Sequence, residues 1–100
     1  MLAHIVYFTL KDPSPSSIDA LVRECREYLP GEAGEVFFAV GTLNQELARP
    51  VNDRDFHVAL HIVFDSKESH DRYQEVPRHL EFIRRNKESW AKVRVFDANC

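Results

Sequence analysis

The sequence predicts an α+β fold in the order β-α-β-β-α-β: a four-stranded antiparallel sheet with its helices packed on one face. Three observations carry this expectation. Residues 2–11 alternate in a two-residue period; two later stretches repeat their apolar residues at helical spacing; and Pro77 interrupts the second of these, splitting one helix into a bent pair.

In the first segment Leu2, His4, Val6, Phe8 and Leu10 share one face, and Ala3, Ile5, Tyr7 and Thr9 the other. Both faces are largely apolar, so the strand is expected to be covered on both sides. Asp12-Pro13-Ser14-Pro15-Ser16-Ser17 then supplies breakers and an N-cap. Ile18, Leu21, Val22, Cys25 and Leu29 follow on one stripe of an amphipathic helix that stops at Pro30-Gly31.

Val36 to Leu43 reads as the second strand, residues 44–54 as a polar loop, and Asp55 to Phe64 as the third strand. Asp65-Ser66-Lys67-Glu68 has capping-box spacing, with Asp65 as the cap, and opens a helix reaching about Glu75. Pro77 biases Val76 toward extended backbone and starts a second helical piece. On that piece His79, Phe82, Ile83, Asn86 and Trp90 form one stripe, which points His79 inward. Val93 to Ala98 closes the ferredoxin-like order.

One hundred residues make a single domain, 1–100, of modest core size. The net charge of −3 comes with scattered basic residues, which excludes nucleic acid and anionic membrane as partners. With no 18-residue apolar run and a strand starting beside Met1, a cytoplasmic protein is expected. Cys25 and Cys100 have neither disulfide-framework nor metal-site spacing. Only three glycines are present, and there is no phosphate loop, serine elbow or Cys-x-x-Cys pair, so no cofactor is expected. The outer sheet face would carry Ile5, Tyr7, Ala59, Val63 and Phe96, a patch too continuous for water. Pairing two sheets in a homodimer would bury on the order of 1,600 Å² in total.

His-Ile-Val-x-Phe with Lys11 in strand one, Asp55, Val63-Phe64-Asp65-Ser66, Tyr73 with Pro77-x-His79, and the closing Val-Phe-Asp occur here in one order. With these the chain resembles the stress-responsive dimeric α/β-barrel domain family, whose members include plant stress proteins and olivetolic-acid-forming polyketide cyclases. The resemblance implies a dimeric α/β barrel and, in cyclase members, a cofactor-free aldol ring closure by a histidine and a tyrosine. By motif position these are His79 and Tyr73, supported by His4 and Asp97, with a small apolar or polyketide-like ligand. The sequence departs from cyclase members at Val76, where they tend to carry histidine, and at Val58, where they can carry a polar ring.

The residues themselves fit that chemistry. An inward imidazole with a reference pKa of about 6.5 can take a proton next to a carbonyl while a tyrosine donates to the developing enolate. Asp97 could orient a ring nitrogen of His79 or His4. The alternatives are a noncatalytic ligand cleft and a satisfied polar cluster that fixes the bent helix in a structural, stress-associated dimer. An oxygenase or haem-associated protein, by analogy of fold alone, ranks last.

The remaining histidines and aromatics read as structural. His57 and His61 share a strand face roughly 13 Å apart, too far to chelate one metal, and are assigned to the dimer interface. His70 is expected in solvent, Trp90, Phe82 and Tyr28 in the core or its rim, and Arg84, Arg85 and Lys87 on a solvated face.

Overall fold

The computed structural model describes residues 1–100. The elements are β1 (Leu2–Leu10), α1 (Pro15–Tyr28), β2 (Glu35–Thr42), β3 (Val58–Phe64), α2 (Lys67–Glu75), α3 (Pro77–Asn86), a short 3-10 turn (Lys87–Ser89) and β4 (Trp90–Asn99). The strands form one sheet in the order β2-β3-β1-β4 with all neighbours antiparallel, which is the ferredoxin-like α+β arrangement.

Strand parity governs the core. Leu2, His4, Val6, Phe8 and Leu10 of β1 are all buried, as are Val58, Leu60, Ile62 and Phe64 of β3, while the residues between them are half-buried. The buried rows pack against Leu21, Val22, Cys25 and Leu29 at α1, Tyr73 of α2 and Phe82 of α3. Each large apolar side chain taken out of water contributes about 1.5–3 kcal/mol. The opposite sheet face carries Ile5, Tyr7, Ala59 and Val63, all half-buried, beside Phe96, which is 51% exposed.

The helix starts are set by serines. Ser14 accepts from the Ser17 amide at α1, and Pro15 occupies the first turn, where a missing N–H costs nothing. At α2 the cap is Ser66, which accepts from the Ser69 amide, rather than the expected Asp65. Asp65 instead takes the Ser69 hydroxyl at 2.5 Å, and its own amide donates to the Gly34 carbonyl at 2.8 Å. The carboxylate thus serves the loop before the helix, and the helix begins one residue later.

Val76 is extended (φ −68°, ψ 146°), ending α2 and preceding Pro77 at the start of α3. Arg78 ties the new helix to the end of α1 by donating to the carbonyls of Glu27 (2.6 Å) and Pro30 (3.3 Å).

Two strand starts lie three residues from expectation, the other strand boundaries within one. β3 begins at Val58, because Phe56 turns onto the Tyr7 ring (4.9 Å between centroids) and His57 Nδ1 accepts from the Leu10 amide at 2.9 Å. β4 begins at Trp90, which pairs with Leu10 beyond a register shift in β1 and so is not on the α3 stripe. Its indole still reaches the expected neighbours, 5.1 Å from Phe8 and 5.9 Å from Phe82.

Candidate functional site

His4 and Asp97 are brought together by sheet register. They are opposite one another on β1 and β4, and His4 Nδ1–H donates to Asp97 Oδ1 at 2.6 Å. His4 is buried, whereas the Asp97 side chain is 43% exposed. Parity puts Asp97 on the helix side with Val93 and Val95, but β4 is an edge strand that the helices do not fully cover, so all three stay exposed rather than entering the core. Burial lowers the His4 pKa, and the nearby His70 adds to this, against an opposing pull from Asp97.

Tyr73 and His79 face each other across the helix break, with ring centroids 4.5 Å apart. Tyr73 is buried on α2 and lies 6.2 Å from the His4 ring. Burial, followed by the charges of Glu35, Cys25 and Glu32, pushes its phenol pKa well up, so it is present as a protonated donor.

The break also determines the state of His79. In an unbroken helix the Gln74 carbonyl would accept from the amide four residues on; here it accepts from His79 Nδ1–H at 3.1 Å. A carbonyl only accepts, so Nδ1 carries the proton in the neutral ring and Nε2 keeps its lone pair. Burial, more than any other cause, holds the His79 pKa below the ordinary histidine value.

These rings border a cleft of about 150 Å³ between the bent helices and the β1–β4 side of the sheet, closed by Leu29, Phe82, Trp90 and Val95. Its walls are mostly apolar. Trp90 Nε1 is buried without a hydrogen-bond partner. The cleft therefore offers an imidazole acceptor and a phenol donor against an apolar wall, a combination that can orient a carbonyl or hydroxyl compound.

His70 is the residue that sequence reasoning missed. Its side chain is 16% exposed, not in open solvent, and its ring stands 4.9 Å from His4 and 5.6 Å from Phe64. Its spacing contained the signal: three residues before Tyr73, it shares the inward face of α2. His57 differs from expectation, being engaged with the backbone of β1 outside the strand, whereas His61 lies on the expected outer sheet face, packed on Tyr7 at 6.2 Å.

A larger hollow of about 510 Å³ lies on the other side of the sheet, where the β2–β3 loop covers Ile5, Tyr7 and Phe96. It contains none of the His–Tyr cluster. Its arginines are spent on the loop: Arg94 donates to Asp53 (3.0 Å) and the Asp55 carbonyl (2.9 Å), and Arg54 to the Leu47 carbonyl (2.6 Å). The titratable rings His4, Tyr73 and His79 line the smaller cleft instead.

No curated protein sequence matches the chain. Among solved structures, a Dabb family protein with a ferredoxin-like fold from Mesorhizobium loti is 22% identical with a TM-score of 0.81, covering 99% of this chain and 95% of its own. A dimeric ferredoxin-like protein of unknown function from Thermobifida fusca is 16% identical with a TM-score of 0.81, covering 99% and 90%. A hydroxynitrile lyase from Passiflora edulis is 23% identical with a TM-score of 0.76, covering 97% and 90%. These likenesses show the fold. The sequence model of the Stress Responsive A/B Barrel Domain matches residues 2–100, and the chain belongs to that family.

Proposed function

We propose that this protein is a homodimer that binds a small, mainly apolar carbonyl compound in the helix–sheet cleft and moves a proton on it without a cofactor, as a cyclase or lyase. The observation that carries this reading is the Gln74–His79 hydrogen bond, which leaves His79 Nε2 as a free base beside the Tyr73 phenol. His79 accepts the proton next to the carbonyl, Tyr73 donates to the oxygen that becomes negative, and Asp97 holds the His4 ring at the border of the site. The lyase described for Passiflora edulis and the dimer described for Thermobifida fusca agree with this reading. No helix is long and apolar enough to cross a membrane, and two free thiols suit a cytoplasmic location.

A second reading is a noncatalytic structural dimer. It is favoured by the size of the cleft, about 150 Å³, below the ~300–1,000 Å³ of most ligand pockets. Trp90, the single tryptophan, lines the cleft and separates the two readings. A panel of medium-chain methyl ketones and 1,3-diketones is titrated while Trp90 fluorescence is followed, and deuterium uptake next to the carbonyl is measured by mass spectrometry. Saturable quenching and accelerated exchange are expected from the wild type; His79→Ala and Tyr73→Phe should keep the quenching and lose the exchange. A folded dimer that neither binds nor exchanges any member of the panel is the structural protein.

A further inference from the structure

We propose that His4, His70 and Asp97 form a binding site for a divalent transition-metal ion at the outer edge of the cleft, beyond the proton-transfer chemistry of His79 and Tyr73. The three residues come from β1, α2 and β4, and one ligand atom of each lies within 4.8 Å of the other two. Four-coordinate zinc holds nitrogen and oxygen ligands at ~2.0–2.2 Å, hence roughly 3.3–3.5 Å from one another. Closing the present set onto an ion therefore needs movements of about 1.5 Å at most. Asp97 is 43% exposed, so its side chain has room to make most of that movement, while His70, 16% exposed, already stands against the His4 ring.

The hydrogen bonds around the cluster prepare the donors. His70 Nδ1–H donates to Asp71 Oδ1 at 3.1 Å, and the Gln74 side-chain amide donates to His70 Nε2 at 3.3 Å. Both contacts leave the lone pair on Nε2, and a carboxylate behind the opposite nitrogen is the usual support of a metal-binding histidine. A swing of the half-buried Gln74 amide would free that lone pair.

Charge points the same way. His4 is the only ion-pair partner of Asp97, and no lysine or arginine enters the cluster. Two imidazoles and one carboxylate suit zinc, cobalt, nickel or ferrous iron; magnesium and calcium prefer oxygen ligands. The exposed side of Asp97 leaves the remaining coordination positions to water, so the site would be open rather than closed.

The test uses full-length protein freed of metal by chelator dialysis, in a Cys100→Ser background that removes the exposed thiol. Cobalt(II) is titrated by calorimetry and visible absorption, with zinc(II) as competitor. One ion per chain is expected, with the absorption of a four- or five-coordinate site that zinc abolishes. His70→Gln and Asp97→Asn should each weaken binding by about 100-fold or more. Broadening by cobalt(II) of the His4 and His70 ring resonances in the unsubstituted cluster is expected too, and it locates the ion even where a variant fails to fold. Absence of binding up to millimolar metal, loss of less than about ten-fold in either folded variant, or broadening confined to other histidines overturns the proposal. None of these outcomes bears on ketone exchange by the metal-free protein.

Discussion

A β-carbon added to Gly34 would lie 2.2 Å from the Ser69 hydroxyl oxygen and 2.3 Å from the Ser69 β-carbon. Gly34 also has φ +91°, a conformation that side chains resist. The start of α2 therefore lies too close to the turn before β2 for a side chain at position 34. Gly34→Ala combines backbone strain with an overpacked contact and is expected to cost about 2–4 kcal/mol. Urea denaturation checks this; an unchanged midpoint would show that α2 shifts without cost.

Pro77→Ala is expected to keep the fold and change the site. Alanine restores an amide at the break and relieves the restriction on Val76, so α2 and α3 can join and the Gln74 carbonyl can return to a backbone donor. His79 then loses its Nδ1–H anchor. Nitrogen-15 shifts of the ring should move from one dominant tautomer to a mixture, and identical shifts in both proteins would rule out the proposed role of the proline.

Stability should fall as pH is lowered from 7.5 to 5. His4 and His79 both have pKa values below the unfolded reference of 6.5, mainly through burial. In that window the unfolded chain binds protons that the folded chain resists, so their contribution is complete above the unfolded pKa and is lost as pH falls through the folded values. The exposed carboxylates Asp12, Asp53, Asp65 and Asp71, each lowered from 3.8, act only in more acid solution. His79→Gln should flatten the decline between pH 7.5 and 5; an unchanged slope would place the effect elsewhere.

Ile5→Glu should separate the proposed dimer. Ile5 is half-buried on the outer sheet face and is the register partner of both His61 and Phe96. A carboxylate there would have to leave water on association, at a cost of several kcal/mol. Light scattering of the wild type should give twice the chain mass, and that of the variant the chain mass or aggregate. A wild-type monomer at micromolar concentration would remove the dimer from the proposal.

The sequence revealed what depends on period and chirality, and obscured what depends on competition between neighbours. Alternation through Leu2–Leu10 and around Leu60 gave the correct inner rows, because a strand has only two faces. Asp65 and Ser66 are both good caps, and only the Gly34 contact with the preceding loop determines which one caps. His57 fitted the alternation but serves as a hydrogen-bond acceptor where β1 is irregular, a tertiary fact. The polar composition of α2 masks the inward position of His70, though its spacing from Tyr73 favours the inside. The exposure of Asp97 depends on how far the helices reach over an edge strand, which residue patterns do not encode.

The His4–Asp97 bond also has a temporal consequence. Its partners are 93 residues apart, and β1, the first strand made, is flanked by β3 and β4. During synthesis β1 must wait for the last strand before one of its sides is paired. Loop closure over such a span is slow relative to forming α1 or the β2–β3 pair. The polar cluster is therefore expected to be among the last features to form. In pulse-labelled hydrogen exchange, the amides of β4 should gain protection after those of α1, and a mature site should mark a chain that has finished folding.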